Sequence, residues 1–200
     1  MARVVGLTGG IGTGKSTVAR LLTERGAELV DADAIVRQLQ APGMPMLAEI
    51  AKAFGDDMLL ADGSLDRKRL GKKVFADPEA RTRLGLITGP PIVAELLKQI
   101  DAKRRSNAPL VIVDIPLLFE GRGAAAYGLD GVILVYAKEE QQISRQIERD
   151  GATPEHALQR VRAQLPIEEK RALADHVIDN SGPPTETEAQ TNALYHLLTT

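Results

Sequence analysis

The sequence predicts an α/β fold in which a mostly parallel five-stranded sheet is covered by helices. Short apolar runs, typical of buried strands, alternate with segments whose apolar residues recur at helical spacing. The first run leads through a glycine-rich loop into the first helix, and several later runs end in an acidic residue. This alternation indicates right-handed strand–helix–strand connections within one sheet.

Each strand and helix of this sheet has its own local pattern. The predicted strands are residues 3–8, 28–31, 110–114, 131–136 and 177–178. The predicted helices are residues 15–25, a segment through 35–39, residues 139–150, a segment that follows Thr153, and residues 186–198. Thr153 is a favourable N-cap, and the proline after it suits the first turn of a helix.

The glycine-rich loop carries the most specific motif in the chain. Residues 9–17 read GGIGTGKST and match G-x-x-x-x-G-K-[ST], the P-loop pattern. Its glycines let successive N–H groups point at phosphate oxygens, and the start of a helix favours the same anion. Lys15 is predicted to reach the β- and γ-phosphates of a nucleotide, and the Ser16 hydroxyl to bind magnesium. The alternative is a glycine-rich turn without a ligand, which the flanking strand and helix disfavour.

The pattern changes between residues 42 and 105, where apolar residues recur only at helical spacing. Helices are predicted here, broken at Gly55, Asp62-Gly63, Asp77-Pro78 and Pro90-Pro91. We therefore predict a single domain, 1–200, with three parts. They are a nucleotide-binding core of residues 1–41 and 106–200, a lid at about 145–170 within it, and a helical substrate-binding insertion at 42–105.

The composition excludes several classes of protein. Two hundred residues suit one domain with an insertion, and a formal charge of −2 provides no basic field for nucleic acid. No apolar run approaches the length of a membrane span, and the N-terminus has no signal-peptide pattern. The chain has no cysteine and hence no disulfide. We expect a cytoplasmic monomer or weak homo-oligomer that binds a small molecule and neither nucleic acid nor membranes.

Acidic residues at two strand ends are candidates for chemistry. Ligands bind parallel sheets at the carboxyl edge of the strands, so Asp33 and Lys15 should face one crevice if their strands lie side by side. There Asp33 could accept the proton of an attacking hydroxyl, or orient that hydroxyl, and could help to hold magnesium. Asp114, at the end of the strand at 110–114, could also help to hold magnesium. The alternatives are a helix N-cap for Asp33, a role that Asp31 fits at least as well, and a solvated turn for Asp114.

Basic residues cluster in two further places. Four arginines surround Gly151, and a lid that carries them could close over ATP and bind its phosphates in bidentate fashion. They are Arg145, Arg149, Arg160 and Arg162. A solvated helix face is the alternative, and only one or two of these arginines are expected to touch phosphate. The densest basic run is Arg67, Lys68, Arg69, Lys72 and Lys73, mostly solvated, with some members available to the phosphates of a second substrate.

Several segments together resemble the dephospho-CoA kinase family, and the resemblance covers nearly the whole chain. They are GLTGGIGTGKSTVARLL at 6–22, DAD at 31–33, DIPLLFE at 114–120, ERDG at 148–151 and VIDNSG at 177–182. The P-loop alone is shared by many NTPases, whereas DAD and DIPLLFE together are specific to this family among small kinases. One departure is Gly89, where family members usually carry a histidine before a proline. We therefore expect a modified substrate pocket and a differently shaped turn at residues 89–91.

The resemblance implies a P-loop kinase that transfers the γ-phosphoryl group of ATP to the ribose 3′-hydroxyl of dephospho-CoA, with Mg²⁺. It implies that Asp33 is the general base, that Arg145 or Arg149 contacts phosphates, and that Asn180 approaches the adenine. The predicted ATP-binding residues are Gly10, Gly12, Thr13, Gly14, Lys15, Ser16, Thr17 and Asn180, and the predicted metal ligands are Ser16, Asp33 and Asp114. Two alternatives stay open: another small nucleoside or nucleotide kinase, and an ATP-binding regulator without turnover.

Overall fold

A computed structural model describes all 200 residues, and its five strands form one parallel sheet. The strands are β1 (Arg3–Gly9), β2 (Glu28–Asp31), β3 (Leu110–Asp114), β4 (Val132–Tyr136) and β5 (His176–Asp179). Their order in the sheet is β2-β3-β1-β4-β5. The predicted five-stranded parallel sheet is therefore confirmed, and every predicted strand is present.

Nine α-helices connect and cover the strands. They are α1 (Lys15–Glu24), α2 (Ala32–Leu39), α3 (Pro45–Phe54), α4 (Arg67–Ala76), α5 (Pro78–Arg104), α6 (Glu139–Asp150), α7 (Pro154–Arg162), α8 (Ile167–Leu173) and α9 (Pro184–Thr199). The Thr153 side chain accepts a hydrogen bond from the His156 amide, which confirms the predicted N-cap of α7. Helix α8 was not predicted. None of the helices combines the length and the apolar character that a membrane span requires.

The chain divides into two units, each with its own hydrophobic core. The core unit comprises Met1–Asp31 and Gln99–Thr200, and the helical unit comprises Ala32–Lys98. In the core unit, apolar residues of the sheet pack with those of α1 and α9. In the helical unit, residues of α3 and α4 form a separate cluster. The helical unit begins before the predicted insertion because Leu39 of α2 packs on this second cluster.

Strands β1 and β2 do not lie side by side, which was the condition for Asp33 and Lys15 to face one crevice, because β3 lies between them. All five residues of β3 are buried, as a central strand requires, whereas β2 is only partly buried and forms an edge. In the register, Asp31 lies opposite Asp114, and Asp114 lies opposite Leu7. The acidic ends of β2 and β3 therefore share the carboxyl edge of the sheet with the P-loop.

Helix α5 contradicts the predicted break and turn at Pro90-Pro91, because it continues through both prolines. Neither proline has an N–H, so the carbonyls of Leu86 and Ile87 lose their helical donors. The clash that a proline imposes on the preceding residue involves that residue's Cβ, and Gly89 has none. A glycine before the prolines thus removes one obstacle to a continuous helix.

Candidate nucleotide-binding site

The P-loop, residues 9–17, has a backbone that only glycine adopts readily at two positions. Gly12 and Gly14 have φ angles of 78° and 88°, in the left-handed region. A Cβ on Gly12 would also lie 2.6 Å from the carbonyl oxygen of Gln142, and one on Gly14 would collide with the Asn180 amide group. The glycines of the motif therefore serve both the turn of the loop and its close approach to neighbouring elements.

The amides of this loop divide into those that have protein acceptors and those that do not. The Ile11 amide donates to Oε1 of Gln164 at 3.0 Å, and the Thr13 amide donates to the Gly10 carbonyl at 3.2 Å. The amides of Gly12 and Gly14 donate to no protein group. The amides of Lys15 and Ser16 at the start of α1 likewise have no protein acceptor, whereas the Thr17 amide donates to the Gly14 carbonyl at 3.0 Å. The helix dipole adds positive potential there. This set of unsatisfied donors fits a phosphate chain.

Lys15 and Asp114 form an ion pair at the carboxyl edge of the sheet. Lys15 is the first residue of α1, and Asp114 is the last residue of β3. Their side chains are only 17% and 12% exposed, so the pair is screened less than a surface pair. The structure thus brings together two residues that the sequence identified separately.

Asn180 and Arg145 both donate hydrogen bonds to backbone carbonyls of the P-loop. Nδ2 of Asn180 donates to the Thr13 carbonyl at 2.7 Å, and its Oδ1 accepts from the Thr187 hydroxyl at 2.7 Å. The Arg145 guanidinium donates to the carbonyls of Gly12 at 3.3 Å, Thr13 at 3.5 Å and Asn180 at 2.8 Å. Both side chains are half-buried, and several hydrogen bonds to the protein orient them.

A cleft of about 380 Å³ lies beside the loop. It is lined by Gly12, Gly14, Ser16, Arg145, Glu148 and Arg149. Arg149 differs from Arg145 because its side chain is 63% exposed and bound to the adjacent Asp150, at 2.8 and 2.9 Å. The hydrogen bonds from Arg149 also hold the pKa of Asp150 below its ordinary value. Arg160 contacts the same carboxylate at 3.1 Å.

The remaining predicted residues are exposed. Ser16 and Thr17 lie on the first turn of α1, with Ser16 at the cleft. Asp33 is the second residue of α2, so it belongs to the helical unit. No group of three or more His, Cys, Asp or Glu side chains is arranged to hold a metal ion. Magnesium at nucleotide sites commonly takes one or two carboxylates together with substrate phosphates, and a hydroxyl and a carboxylate at the loop suit that chemistry.

Two residues that contact the loop, Gln142 and Gln164, and the neighbouring Gln146 were not predicted as site residues. Gln142 and Gln146 are buried on α6 four residues apart, and Nε2 of Gln142 donates to the Ala137 carbonyl at 2.8 Å. The sequence pattern that could have identified Gln142 and Gln146 is a pair of polar residues four apart on the apolar face of a helix. No local pattern identifies Gln164, because its contact with Ile11 spans 153 residues.

The parallel sheet, the loop after β1 and the unsatisfied amides at the start of α1 define a nucleotide-binding protein of the P-loop class. A family model described as dephospho-CoA kinase matches residues 3–186. The chain therefore belongs to the dephospho-CoA kinase family, as the motifs indicated.

Individual relatives agree with this assignment. A dephospho-CoA kinase from Anaeromyxobacter dehalogenans is 50% identical over 91% of this chain and 85% of the relative. One from Geobacter metallireducens is 47% identical over 96% of this chain and 94% of the relative. The solved structure of a dephospho-CoA kinase from Campylobacter jejuni is 29% identical, with a TM-score of 0.76 over 100% of this chain and 98% of the other.

Proposed function

We propose that this protein transfers the γ-phosphoryl group of ATP to the ribose 3′-hydroxyl of dephospho-CoA, giving coenzyme A and ADP. The observation that carries the proposal is a P-loop with unsatisfied amides at Gly12 and Gly14, in a member of the dephospho-CoA kinase family. These amides match the phosphate chain of ATP. We also propose that the enzyme acts in the cytoplasm, which suits a chain without cysteines, as a monomer or weak homo-oligomer.

Asp33 is the proposed general base. The 3′-hydroxyl oxygen attacks the γ-phosphorus, the bond from that phosphorus to the β–γ bridging oxygen breaks, and the hydroxyl proton passes to the Asp33 carboxylate. The exposed position of this side chain, on the first turn of α2, supports the role because a substrate hydroxyl can reach it. A general base contributes about 10²- to 10⁴-fold to the rate.

Lys15 and Arg145 are the proposed cations for the transferring group. Charge spreads over the oxygens of the phosphoryl group in a loose transition state, so positioned cations lower the barrier. Lys15 begins the phosphate-binding helix and is paired with Asp114, so phosphate binding would exchange that contact for one with phosphate oxygens. Arg145 is already oriented beside the loop, whereas Arg149 must leave Asp150. We therefore rank Arg145 above Arg149.

Magnesium is part of the proposal, with Ser16, Asp33 and Asp114 as the residues that would hold it. The ion supplies positive charge to the phosphates when it is bound. Asp114 stands at the carboxyl edge beside Lys15, and Ser16 lines the cleft, which supports these two assignments most directly.

The helical unit is proposed to bind dephospho-CoA. Arg67, Lys68 and Lys72 are exposed on α4 and form no ion pair, so they are available to the diphosphate of that substrate. The unit also contains an apolar cleft of about 320 Å³, lined in part by Leu39, Met44 and Ile87. Such a cleft suits uncharged parts of the acceptor.

A comparison of phosphate acceptors tests the proposed function. Purified protein with ATP and Mg²⁺ is supplied in parallel with dephospho-CoA, adenosine or nucleoside monophosphates, and ADP formation is followed. We expect turnover with dephospho-CoA to exceed that with every other acceptor. Faster turnover with a nucleoside monophosphate would identify a different small-molecule kinase. No turnover with any acceptor, by folded protein that binds ATP, would favour a regulator.

A further inference from the structure

The connection between α7 and α8 contacts the P-loop through a single side chain. Oε1 of Gln164 accepts the hydrogen bond of the Ile11 amide at 3.0 Å. This amide stands in the first half of the loop, before the unsatisfied amides of Gly12 and Gly14. Gln164 therefore fixes the direction of the loop just before the amides that we assign to phosphate.

The chain around Gln164 is anchored to the segment after β3. The Leu165 amide donates to Oε1 of Glu120 at 3.1 Å. The same Glu120 oxygen lies 2.6 Å from Nζ of Lys170, which belongs to α8. Glu120 therefore holds both the residue after Gln164 and the helix that follows it.

Lys170 is unusual because its side chain is 0% exposed. The Nζ atom of Lys170 donates no aligned hydrogen bond, so the ion pair with Glu120 is what compensates its buried charge. Burying a charged ammonium group is unfavourable, and such pairs contribute little net stability compared with apolar residues of similar size. A role in fixing geometry accounts for this residue better than a role in stability.

A second set of contacts attaches α8 to the sheet. The Tyr136 hydroxyl, on β4, donates to Oε1 of Glu168 at 2.7 Å. The Arg171 guanidinium lies over the Tyr136 ring, 5.1 Å from its centroid. Residues 164–171 are thus attached to the P-loop, to the segment after β3 and to β4.

We propose that Gln164 is a positioning residue for the nucleotide, kept in place by the buried Lys170–Glu120 ion pair. Gln164 holds the Ile11 amide so that the following loop amides are directed at the phosphates before ATP arrives. The inference rests on the proposed ATP site, but it concerns ATP affinity and not the identity of the acceptor.

The experiment measures ATP affinity directly, by titration calorimetry, beside steady-state kinetics. Gln164→Met keeps the length of the side chain and removes its acceptor. Gln159→Met is the matched control, because Gln159 is exposed on α7 and its side chain makes no hydrogen bond. We expect Gln164→Met to weaken ATP binding about fivefold, as for the net loss of one hydrogen bond, with an unchanged KM for the acceptor. Equal ATP affinities in the two variants would overturn the proposal.

Two further variants distinguish a positioning role of Gln164 from nonspecific destabilisation of the fold. Gln164→Glu keeps an acceptor oxygen but adds a negative charge, which high salt screens. At high salt, the ATP affinity of this variant should stay within about twofold of that of the unmodified chain. Lys170→Met should weaken ATP binding as Gln164→Met does, and the double variant should be no weaker than Gln164→Met alone, because both act through one contact. Additive losses in the double variant would contradict the link. Since calorimetry needs no turnover, a failed kinase assay leaves this test valid.

Discussion

The P-loop region and the helical unit differ in how their polar groups are held. Around the P-loop, the Thr13 carbonyl accepts from both Asn180 and Arg145, and the Ile11 amide has an acceptor of its own. On α4 of the helical unit, Lys72 is exposed and forms no ion pair, and Phe75 is 89% exposed. One region is arranged before any ligand binds, whereas the other presents side chains that a ligand must order.

This difference has an energetic consequence for the two proposed substrates. Contacts of fixed groups lose little conformational freedom on binding, so each is expected to contribute strongly to ATP affinity. Contacts of exposed lysines cost side-chain entropy and are screened by salt, so each contributes about 0.2–1 kcal/mol. Substitutions in the P-loop region should therefore have large individual effects, and those on the surface of α4 should have small ones.

The largest effect is expected at Asp33, which lies in the helical unit but is assigned to the chemical step. Asp33→Asn removes the base and keeps the size of the side chain, so kcat should fall about 10²- to 10⁴-fold with ATP affinity near normal. Single-turnover kinetics and ATP titration measure the two quantities separately. An unchanged kcat would show that another group accepts the proton, and would leave Asp33 as a residue of the first helical turn only.

Lys15→Ala is expected to weaken both ATP binding and turnover, because it removes a half-buried cation from the carboxyl edge. We expect kcat/KM for ATP to fall about 10²- to 10³-fold, as for other single groups that stabilise transition-state charge. Lys98→Ala is the control, since Lys98 is 76% exposed and pairs only with Glu95 on its own helix. A normal kcat/KM in the Lys15 variant would remove Lys15 from the site.

Two arginines of one helix provide a sharper comparison. Arg145→Lys keeps the charge but loses the bonds that its fork makes to three carbonyls, so ATP turnover should fall about 10- to 100-fold. Arg149→Lys should have a smaller effect, because its present partner is the exposed Asp150. Steady-state kinetics of both variants under one condition decide the order. A larger loss in the Arg149 variant would reverse our ranking.

Substitutions at two glycines test the same difference between the P-loop and the helical unit, through the free energy of unfolding and the affinity for ATP. Gly85 is exposed within α5, and a Cβ there would meet nothing within 4 Å. Gly85→Ala should raise the free energy of unfolding by about 0.5–1 kcal/mol, because alanine is favoured in a helix interior. Gly14→Ala, at a positive φ and against Asn180, should instead lose ATP affinity. Denaturant unfolding and ATP titration of both variants check this pair, and a stabilised Gly14 variant with normal affinity would contradict it.

Much of this architecture was predictable because it depends on local pattern. The strand at 110–114 is apolar throughout and ends at Asp114, and the loop motif identifies its own flanking strand and helix. Strand order was harder, since the position of β3 between β1 and β2 depends on burial on both faces. The continuous α5 could not be predicted from local pattern, because prolines usually end helices and a glycine before a proline is typical of a turn.

The contacts around the loop were the least predictable part of the site. Gln164 and Lys170 are distant in sequence from the residues that they hold, and no local pattern marks a buried lysine. The motif predicted which residues face a phosphate. The motif did not predict which side chains hold the loop in the conformation that binds phosphate.

The central claim is that the γ-phosphoryl group moves from ATP to the 3′-hydroxyl of dephospho-CoA. Its most direct test is a single-turnover reaction with ATP labelled at the γ-phosphate, run with dephospho-CoA and with an analogue that lacks the 3′-hydroxyl. We predict label in coenzyme A with the first acceptor and no labelled organic product with the second. Equal labelling of both acceptors, or no labelling of either by folded protein that binds ATP, would contradict the claim.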